Sequence, residues 1–329
     1  MPKEVLTNAA LLTTVVRPGG LQATSVQAPA NAGAAGTHVY KVMEGHKIHA
    51  DVYRAPGDDI RPVVMWIHGG ALIFGTRKRV PSWQFERYMD AGFVIVSIDY
   101  RLGPELKLPA IVEDIEDAYR WIRAEGLRHF RIDPDRVAIV GHSGGGYLAL
   151  VMGFRSNPPP RALVSFYGYG EITGSWYSRP DPFYNQMPAI SKEEAFNAVG
   201  SSVISATPVD FVWPEGRSKF YVYCRQQGIW PEMIAGRKPE EESAWFGDYE
   251  PLRRVTESYP PTLLLHGEKD TDVPFEQSVL MVEALERHGV PNEFIGNPVW
   301  GHGFDQAEDD QAVQQALDRV IRFLDTFVK

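Results

Sequence analysis

Apolar residues occur mainly in continuous runs rather than in alternation along this chain. Continuous runs are typical of strands that are buried on both faces, as in a parallel sheet covered by helices. The segment Lys47 to Arg54 alternates instead, which predicts an edge strand or a half-exposed strand. The continuous runs are Pro62 to His68, Phe93 to Ile98, Arg136 to Val140, Ala162 to Phe166 and Thr262 to His266.

Other segments repeat their apolar residues at three- and four-residue spacing, which predicts helices. The clearest are Ala110 to Ala124, Val273 to His288 and Asp309 to Val328, and Pro274 suits a first helical turn. A further short strand is predicted around Glu293 to Ile295. Because strands and helices alternate, the sequence predicts an α/β fold with a doubly wound, mostly parallel sheet.

Two segments depart from this alternation. Residues 1–36 are rich in Ala, Gly, Pro, Thr and Asn, which predicts an N-terminal arm. Residues 168–259 contain many aromatic residues and scattered prolines, and they are too long for an ordinary loop. We expect residues 168–259 to form a cap over the carboxyl edge of the sheet, where open α/β sheets bind ligands. Residues 37–167 and 260–329 then form the catalytic domain.

Composition narrows the class of protein. The net charge is −9, which disfavours nucleic acid as a partner, and no run is long enough for a predicted membrane span. Cys224 is the single cysteine, so the chain forms no internal disulfide. These features predict a cytoplasmic location. Secretion stays open, although the apolar run Leu11 to Val16 is short and lacks a basic leader.

The strongest chemical signal is the segment Gly141-His142-Ser143-Gly144-Gly145, which matches G-x-S-x-G. It follows a predicted strand and precedes an apolar helical stretch. In that context the pattern forms a sharp turn that lifts the serine hydroxyl out of the sheet. We therefore predict Ser143 as a nucleophile; the alternative is a glycine-rich turn with an incidental serine.

A second glycine motif, His68-Gly69-Gly70-Ala71, directly follows a buried strand. A tetrahedral intermediate needs backbone N–H groups aimed at its oxyanion, and glycines let the chain present them. We expect the N–H groups of Gly70, Ala71 and Gly144 to form an oxyanion hole. His68 is expected to fix the loop by hydrogen bonding.

A serine nucleophile needs a base at neutral pH. His302 lies in the segment Trp300 to Phe304, where glycines flank it and the last helix follows. Such a loop can bring an imidazole over the site, so His302 is the predicted base. His266 also ends a strand, but the turn that it begins is better suited to presenting an acid.

The acid that orients the base has two candidates in the segment from His266 to Pro274. Asp270 lies on the turn after the strand and is favoured. Asp272 lies where the N-cap of the next helix is expected, so capping explains it without catalysis. The order Ser143, Asp270, His302 along the chain is the order of α/β-hydrolases.

These motifs resemble the α/β-hydrolase superfamily, particularly carboxylesterases of the hormone-sensitive-lipase type and the related acetyl-esterase group. The resemblance rests on the glycine loop after His68, the segment Asp99 to Glu105 and the turn at Ser143, and it covers roughly residues 60–167 and 260–325. The segment from His266 to Pro274 is similar to the loop that carries the catalytic acid in prolyl-oligopeptidase-like hydrolases. This similarity implies that the acid is Asp270 rather than Asp272.

Two residues depart from the pattern of the lipase-type group. Ala71 replaces a glycine that is common in the loop, and its methyl group narrows the site. His142 precedes the nucleophile where that group usually has Asp. The departures affect the choice of subfamily rather than the fold.

The expected function is carboxylic ester hydrolysis through an acyl-enzyme, on short-chain or aromatic esters. An amide, formamide, lactone or carbonate remains open as the substrate, and a non-catalytic ligand-binding protein is the alternative from another class. No cofactor or metal is predicted, since P-loop and dinucleotide motifs are absent and His46 and His49 point to opposite faces of a predicted strand. The partner is a small-molecule ester, and a homo-oligomer is possible.

Overall fold

The computed structural model describes residues 34–210 and 212–329. Its eight strands form one sheet in the order β1-β2-β4-β3-β5-β6-β7-β8. β1 pairs antiparallel with β2, and β2 antiparallel with β4, whereas the pairs from β4 to β8 across the sheet are parallel. The strands are β1 (Ala34–Met43), β2 (His46–Tyr53), β3 (Arg61–Ile67), β4 (Val94–Ile98), β5 (Ile132–His142), β6 (Ala162–Phe166), β7 (Thr262–Gly267) and β8 (Asn292–Asn297).

Helices cover both faces of this sheet. The α-helices of the described residues are α1 (Ser82–Asp90), α2 (Leu108–Phe130), α3 (Gly144–Arg155), α4 (Ser175–Ser178), α5 (Lys192–Asn197), α6 (Ser218–Gln227), α7 (Trp230–Ala235), α8 (Ser243–Gly247), α9 (Glu276–Arg287) and α10 (Gln311–Val328). Alternate residues of β3 enter different cores: Met65 packs with α2, α3 and α9, and Trp66 packs with α1 and α10. Both faces are buried, which explains why the apolar run of this strand is continuous.

The predicted doubly wound, mostly parallel sheet is confirmed. Each continuous apolar run coincides with a strand to within a few residues, and the last predicted strand is β8. The alternating segment forms β2, which is half-exposed but is not the edge of the sheet, because β1 pairs with its outer side. β1 begins at Ala34, inside the segment predicted as an arm; residues 1–33 lie outside the described part of the chain.

The loop after β7 differs from its prediction. α9 begins at Glu276 with Phe275 at its N-cap, so the placement of Asp272 at the N-cap and of Pro274 in the first turn is wrong. The reason is that the side chain of Asp270 makes the turn instead: its Oδ1 accepts the N–H groups of Asp272 at 2.8 Å and Val273 at 2.9 Å. The side chain of Asp272 takes no part in this turn and instead accepts hydrogen bonds from the hydroxyls of Tyr184 and Tyr221.

The segment between β6 and β7 contains α4 to α8 and contacts the loops at the carboxyl ends of the strands. Trp230 Nε1 donates to the carbonyl of Ala71 at 3.1 Å. Arg217 donates to the carbonyl of Ile73 at 2.7 Å and forms an ion pair with Glu105 at 2.6 Å. Residues 168–259, called the insertion below, therefore lie against the glycine loop that follows β3.

Within residues 34–210 and 212–329, no helix combines the length and the apolar character that crossing a membrane requires. An acidic cluster of Glu113, Asp114 and Asp117 lies on α2. Lys41 forms ion pairs with all three carboxylates, at 3.1, 2.8 and 2.5 Å. Arg101 adds a contact of 2.7 Å to Asp114, so these carboxylates join β1 and the loop after β4 to α2.

Candidate active site

Ser143 lies between the end of β5 and the start of α3, in a conformation that non-glycine residues rarely adopt. Its φ is 53° and its ψ is −120°. The two flanks of the turn touch: a Cβ on Gly141 would lie 2.0 Å from the carbonyl oxygen of Gly145, so position 141 requires glycine. A strained backbone conformation of this kind persists only where the surrounding structure holds it in place. Such conformations are concentrated at functional sites.

His302 lies between Ser143 and Asp270. Its Nε2 is 3.0 Å from Ser143 Oγ, and its Nδ1 is 2.7 Å from Asp270 Oδ2. Asp270 is fully buried, whereas His302 keeps 11% of its side chain exposed. The three residues that the sequence predicted as nucleophile, base and acid are thus within hydrogen-bonding distance in one line, which is the geometry that proton transfer from the serine requires.

Burial and charge act against each other in this line of residues. Burial alone would lower the pKa of His302, but the negative charges of Asp270 and Asp272 outweigh it and raise the pKa to about 9. Burial alone would raise the pKa of Asp270, but His302, with a hydrogen bond from His266, holds it well below its usual range. Each charge therefore favours the other: the pair favours an ionised Asp270 and a protonated His302.

The glycine loop after β3 lies against the turn that carries Ser143. Gly70 has a φ of 109°, and a Cβ there would lie 1.9 Å from the carbonyl oxygen of Phe74, so this position requires glycine. Ala71, with a φ of 50°, also lies in the left-handed region. A Cβ on Gly144 would be 3.2 Å from the Ala71 nitrogen, so the predicted oxyanion donors are close neighbours.

His68 precedes this loop and is buried. Its Nδ1 lies 2.8 Å from the carbonyl oxygen of Gly69, and its ring stacks on Tyr100 with 4.3 Å between the centroids. Burial lowers the pKa of His68 to about 3, so the ring is neutral. These contacts agree with the loop-fixing role predicted for His68.

A cavity of about 110 Å³ opens beside Ser143. Its walls come from the glycine loop, the loop that carries His302 and the insertion, and aromatic rings form much of its surface. The rings are those of Trp66, Phe74, Tyr167, Tyr184, Trp213 and Tyr221. Asp272 and Asp305 also line the cavity, so two carboxylates face a mainly aromatic wall.

A second buried network, which the sequence did not predict, lies next to the nucleophile. Asp305 accepts hydrogen bonds from Gln84 at 2.7 Å and from the hydroxyl of Tyr167 at 2.5 Å. His142 Nε2 is 3.3 Å from the same carboxylate. The sequence signal for it is the departure at position 142, where a histidine precedes Ser143 in place of the Asp that is usual in the lipase-type group. Three of its members, His142, Tyr167 and Asp305, also line the cavity beside Ser143.

Asp272, the alternative acid, lies on the other side of His302. Its Oδ2 is 3.4 Å from His302 Nε2, the nitrogen that faces Ser143, whereas Asp270 contacts Nδ1. Asp270 therefore lies at the imidazole nitrogen that faces away from Ser143, and Asp272 lies near the nitrogen that faces it.

Comparison with known proteins agrees with the fold. The strand order and the turn at Ser143 place the chain in the α/β-hydrolase superfamily. Within it, the chain belongs to the BD-FAE family, whose model matches residues 50–285.

Solved structures share this fold at low sequence identity. Esterase 2 of Thermogutta terrifontis is 22% identical with a TM-score of 0.64, and the match covers 92% of this chain and 99% of the esterase. An acetyl ester-xyloside bifunctional hydrolase from Caldicellulosiruptor lactoaceticus is 19% identical with a TM-score of 0.64, covering 90% of this chain and 98% of that one.

Among curated relatives, the chain is similar to non-reducing polyketide synthase Preu6 of Preussia isomera. The two are 29% identical over 294 residues, which is 81% of this chain. The matched region is 13% of the synthase, so the chain spans a small part of the length of this relative.

Proposed function

We propose that this protein hydrolyses carboxylic esters by two-step acyl transfer. The observation that carries the proposal is the contact of His302 with both Ser143 Oγ at 3.0 Å and Asp270 Oδ2 at 2.7 Å. Ser143 Oγ attacks the ester carbonyl carbon while His302 Nε2 takes its proton. The N–H groups of Gly70, Ala71 and Gly144 stabilise the oxyanion.

The second half of the reaction returns the proton. His302 donates it to the leaving alcohol as the carbon–oxygen bond of the ester breaks, and an acyl group remains on Ser143. Water then attacks the acyl-enzyme, with His302 again acting as the base. Asp270 keeps the imidazole in the required tautomer and stabilises its protonated form throughout.

The cavity favours small or flat acyl groups. The space beside Ser143 is about 110 Å³ with mainly aromatic walls. It is smaller than the cavity of about 150 Å³ that holds benzene, so it fits a short acyl chain, and its aromatic walls suit contact with an aromatic group. Short-chain and aromatic esters are therefore the proposed substrates. The insertion, which supplies Tyr184, Trp213 and Tyr221 to this wall, is proposed to act as a cap.

Replacement of Ser143 tests the proposal. Ser143→Ala is expected to lower kcat for an aryl ester by about 10⁴-fold or more, because the nucleophile is lost. Ser258→Ala, at an exposed serine, is the matched control and should keep wild-type activity. Turnover by Ser143→Ala at the wild-type rate would contradict the assignment.

A substrate panel separates the acyl bonds that remain open. Aryl acetate, an anilide, a formamide, a lactone and a carbonate would be compared at equal concentration, with a polyketide-derived ester added because the curated relative is a polyketide synthase. Among these compounds, we expect the highest kcat/KM for an ester. Binding of these compounds without turnover of any of them would favour a ligand-binding protein instead.

A further inference from the structure

The two oxygens of the Asp272 carboxylate have different surroundings. Oδ1 accepts the hydroxyl of Tyr184 at 2.8 Å, the hydroxyl of Tyr221 at 2.5 Å and Nη1 of Arg225 at 2.8 Å. All three donors belong to the insertion. They fix the carboxylate in one orientation and occupy one of its two oxygens.

The second oxygen faces the site. Oδ2 lies 3.4 Å from His302 Nε2, and Asp272 forms part of the cavity wall. The same Nε2 is 3.0 Å from Ser143 Oγ. The imidazole therefore has a carboxylate near each of its nitrogens, one from Asp270 and one from Asp272.

We infer that Asp272 is a positioning residue, held by the insertion, that stabilises the protonated form of His302 from the side that faces Ser143. The contribution of Asp272 to catalysis rests on the proposed function. His302 becomes an imidazolium when Ser143 attacks, and a negative charge at this distance favours that form. The same charge keeps the imidazole protonated to higher pH, so the neutral base becomes available at a higher pH than in an unperturbed histidine.

The other groups around His302 define what the test has to separate. Asp270 contacts Nδ1, with His266 behind it at 3.2 Å from the same carboxylate. Tyr167 packs against the ring with 4.6 Å between centroids. Asp305, which contacts His142 and Tyr167, also raises the pKa of His302, but by less than Asp272 does. Asp272 can be neutralised without changing Asp270, Ser143 or the contacts of Asp305.

Arg225 offers a matched control. It is 1% exposed and forms ion pairs with Asp272 at 2.8 Å and with Asp181 at 2.6 Å. Asp181→Asn and Asp272→Asn each remove one carboxylate from the same guanidinium. The structure gives a contact with His302 for Asp272 but none for Asp181, so the pair of variants separates an effect on the imidazole from an effect on the packing of the insertion.

The experiment measures the His302 pKa directly. Imidazole nitrogen resonances would be titrated by NMR in the wild type, Asp272→Asn and Asp181→Asn, with His302→Gln used for assignment. We expect Asp272→Asn to lower the pKa of His302 by about one unit or more, and Asp181→Asn to leave it within a few tenths. If Asp272→Asn does not fold, the same titration is made with Asp272→Ser, which is smaller and also neutral, and the same decrease in the pKa of His302 is expected.

Enzyme kinetics then test the link to catalysis. The acid limb of the kcat/KM profile is expected to move to lower pH by the same amount in Asp272→Asn. An unchanged pKa in that variant, or an equal decrease in Asp181→Asn, would overturn the inference. Because the titration needs no substrate, failure of the ester-hydrolase proposal would instead appear as absent turnover in the wild type.

Discussion

At the scale of single residues, the site depends on one imidazole held among acidic side chains. Burial by itself favours a neutral ring, but Asp270 at 2.7 Å and Asp272 at 3.4 Å reverse that effect. These charges favour the protonated ring in the resting protein, and they would also stabilise the imidazolium that forms in the proposed serine attack.

The pH dependence of activity follows from the direction of this shift. His302 must be neutral to accept the serine proton, and its pKa is raised to about 9. We therefore expect kcat/KM to fall as the pH drops through a midpoint above about 6.5, the value of an unperturbed histidine. A pH profile with an ester that has no titratable group would measure it. A midpoint at or below about 6.5 would contradict this account of the charges.

Local sequence patterns predicted Ser143, Asp270 and His302, which the structure brings together, but not all of their neighbours. Ser143 and His302 lie in glycine-flanked motifs whose chemistry is visible in the sequence. The contact of Asp272 with Arg225 joins residues that are far apart in the chain, and no local pattern records it. Asp305 was missed for the same reason, since its partners Gln84 and Tyr167 come from α1 and the residue after β6.

At the scale of elements, burial decided which strands could be predicted. β3 to β7 lie in the interior of the sheet and have continuous apolar runs. β1 covers the outer side of β2, and its apolar residues do not form a continuous run. Val39, Val42 and Met43 are exposed, so the apolar pattern did not reveal this edge strand. The start of α9 was misplaced because two aspartates stand close together and either could have made the turn.

The insertion contacts the loop after β7 through Arg225 of α6. Arg225 contacts the rings of Tyr184 and Tyr177, with 4.7 and 5.0 Å from the guanidinium carbon to the ring centroids. It also donates to the main-chain carbonyl of Asp272 at 2.9 Å. This buried cation therefore connects the insertion to the loop that carries Asp270.

Loss of this cation is expected to destabilise the protein. Arg225→Met leaves the carboxylates of Asp181 and Asp272 without their ion pair, which should lower the free energy of unfolding by about 3 kcal/mol or more. Arg237→Met is the control, because Arg237 is 43% exposed and pairs with Glu242 at the surface; there about 1 kcal/mol or less is expected. Urea unfolding measures both values, and equal small losses would contradict the connecting role of Arg225.

At the scale of the whole molecule, the sheet order brings distant segments to one edge. The loops after β3, β5, β7 and β8 meet there because parallel strands end on the same side, and the insertion lies against them. The alternation of strands and helices predicted this edge. The shape of the cavity could not be predicted, since it depends on how the insertion packs against the glycine loop.

Acyl-chain preference tests this enclosure. Because the cavity is about 110 Å³, we expect kcat/KM to be highest for acetyl to butyryl esters and lower by about tenfold or more for octanoyl esters. The aryl leaving group would be kept constant across the series, so that only the acyl chain changes. Values of kcat/KM that rise steadily up to the octanoyl ester would contradict an acyl site of this size. They would indicate that the insertion leaves room for a longer acyl chain.

The most direct test of the central claim is covalent labelling with a fluorophosphonate, followed by peptide mass spectrometry. We expect one phosphonyl adduct, on Ser143, and its loss in His302→Ala because the hydroxyl is then no longer activated. Modification at another residue, or labelling of Ser143 at the same rate in His302→Ala, would contradict it.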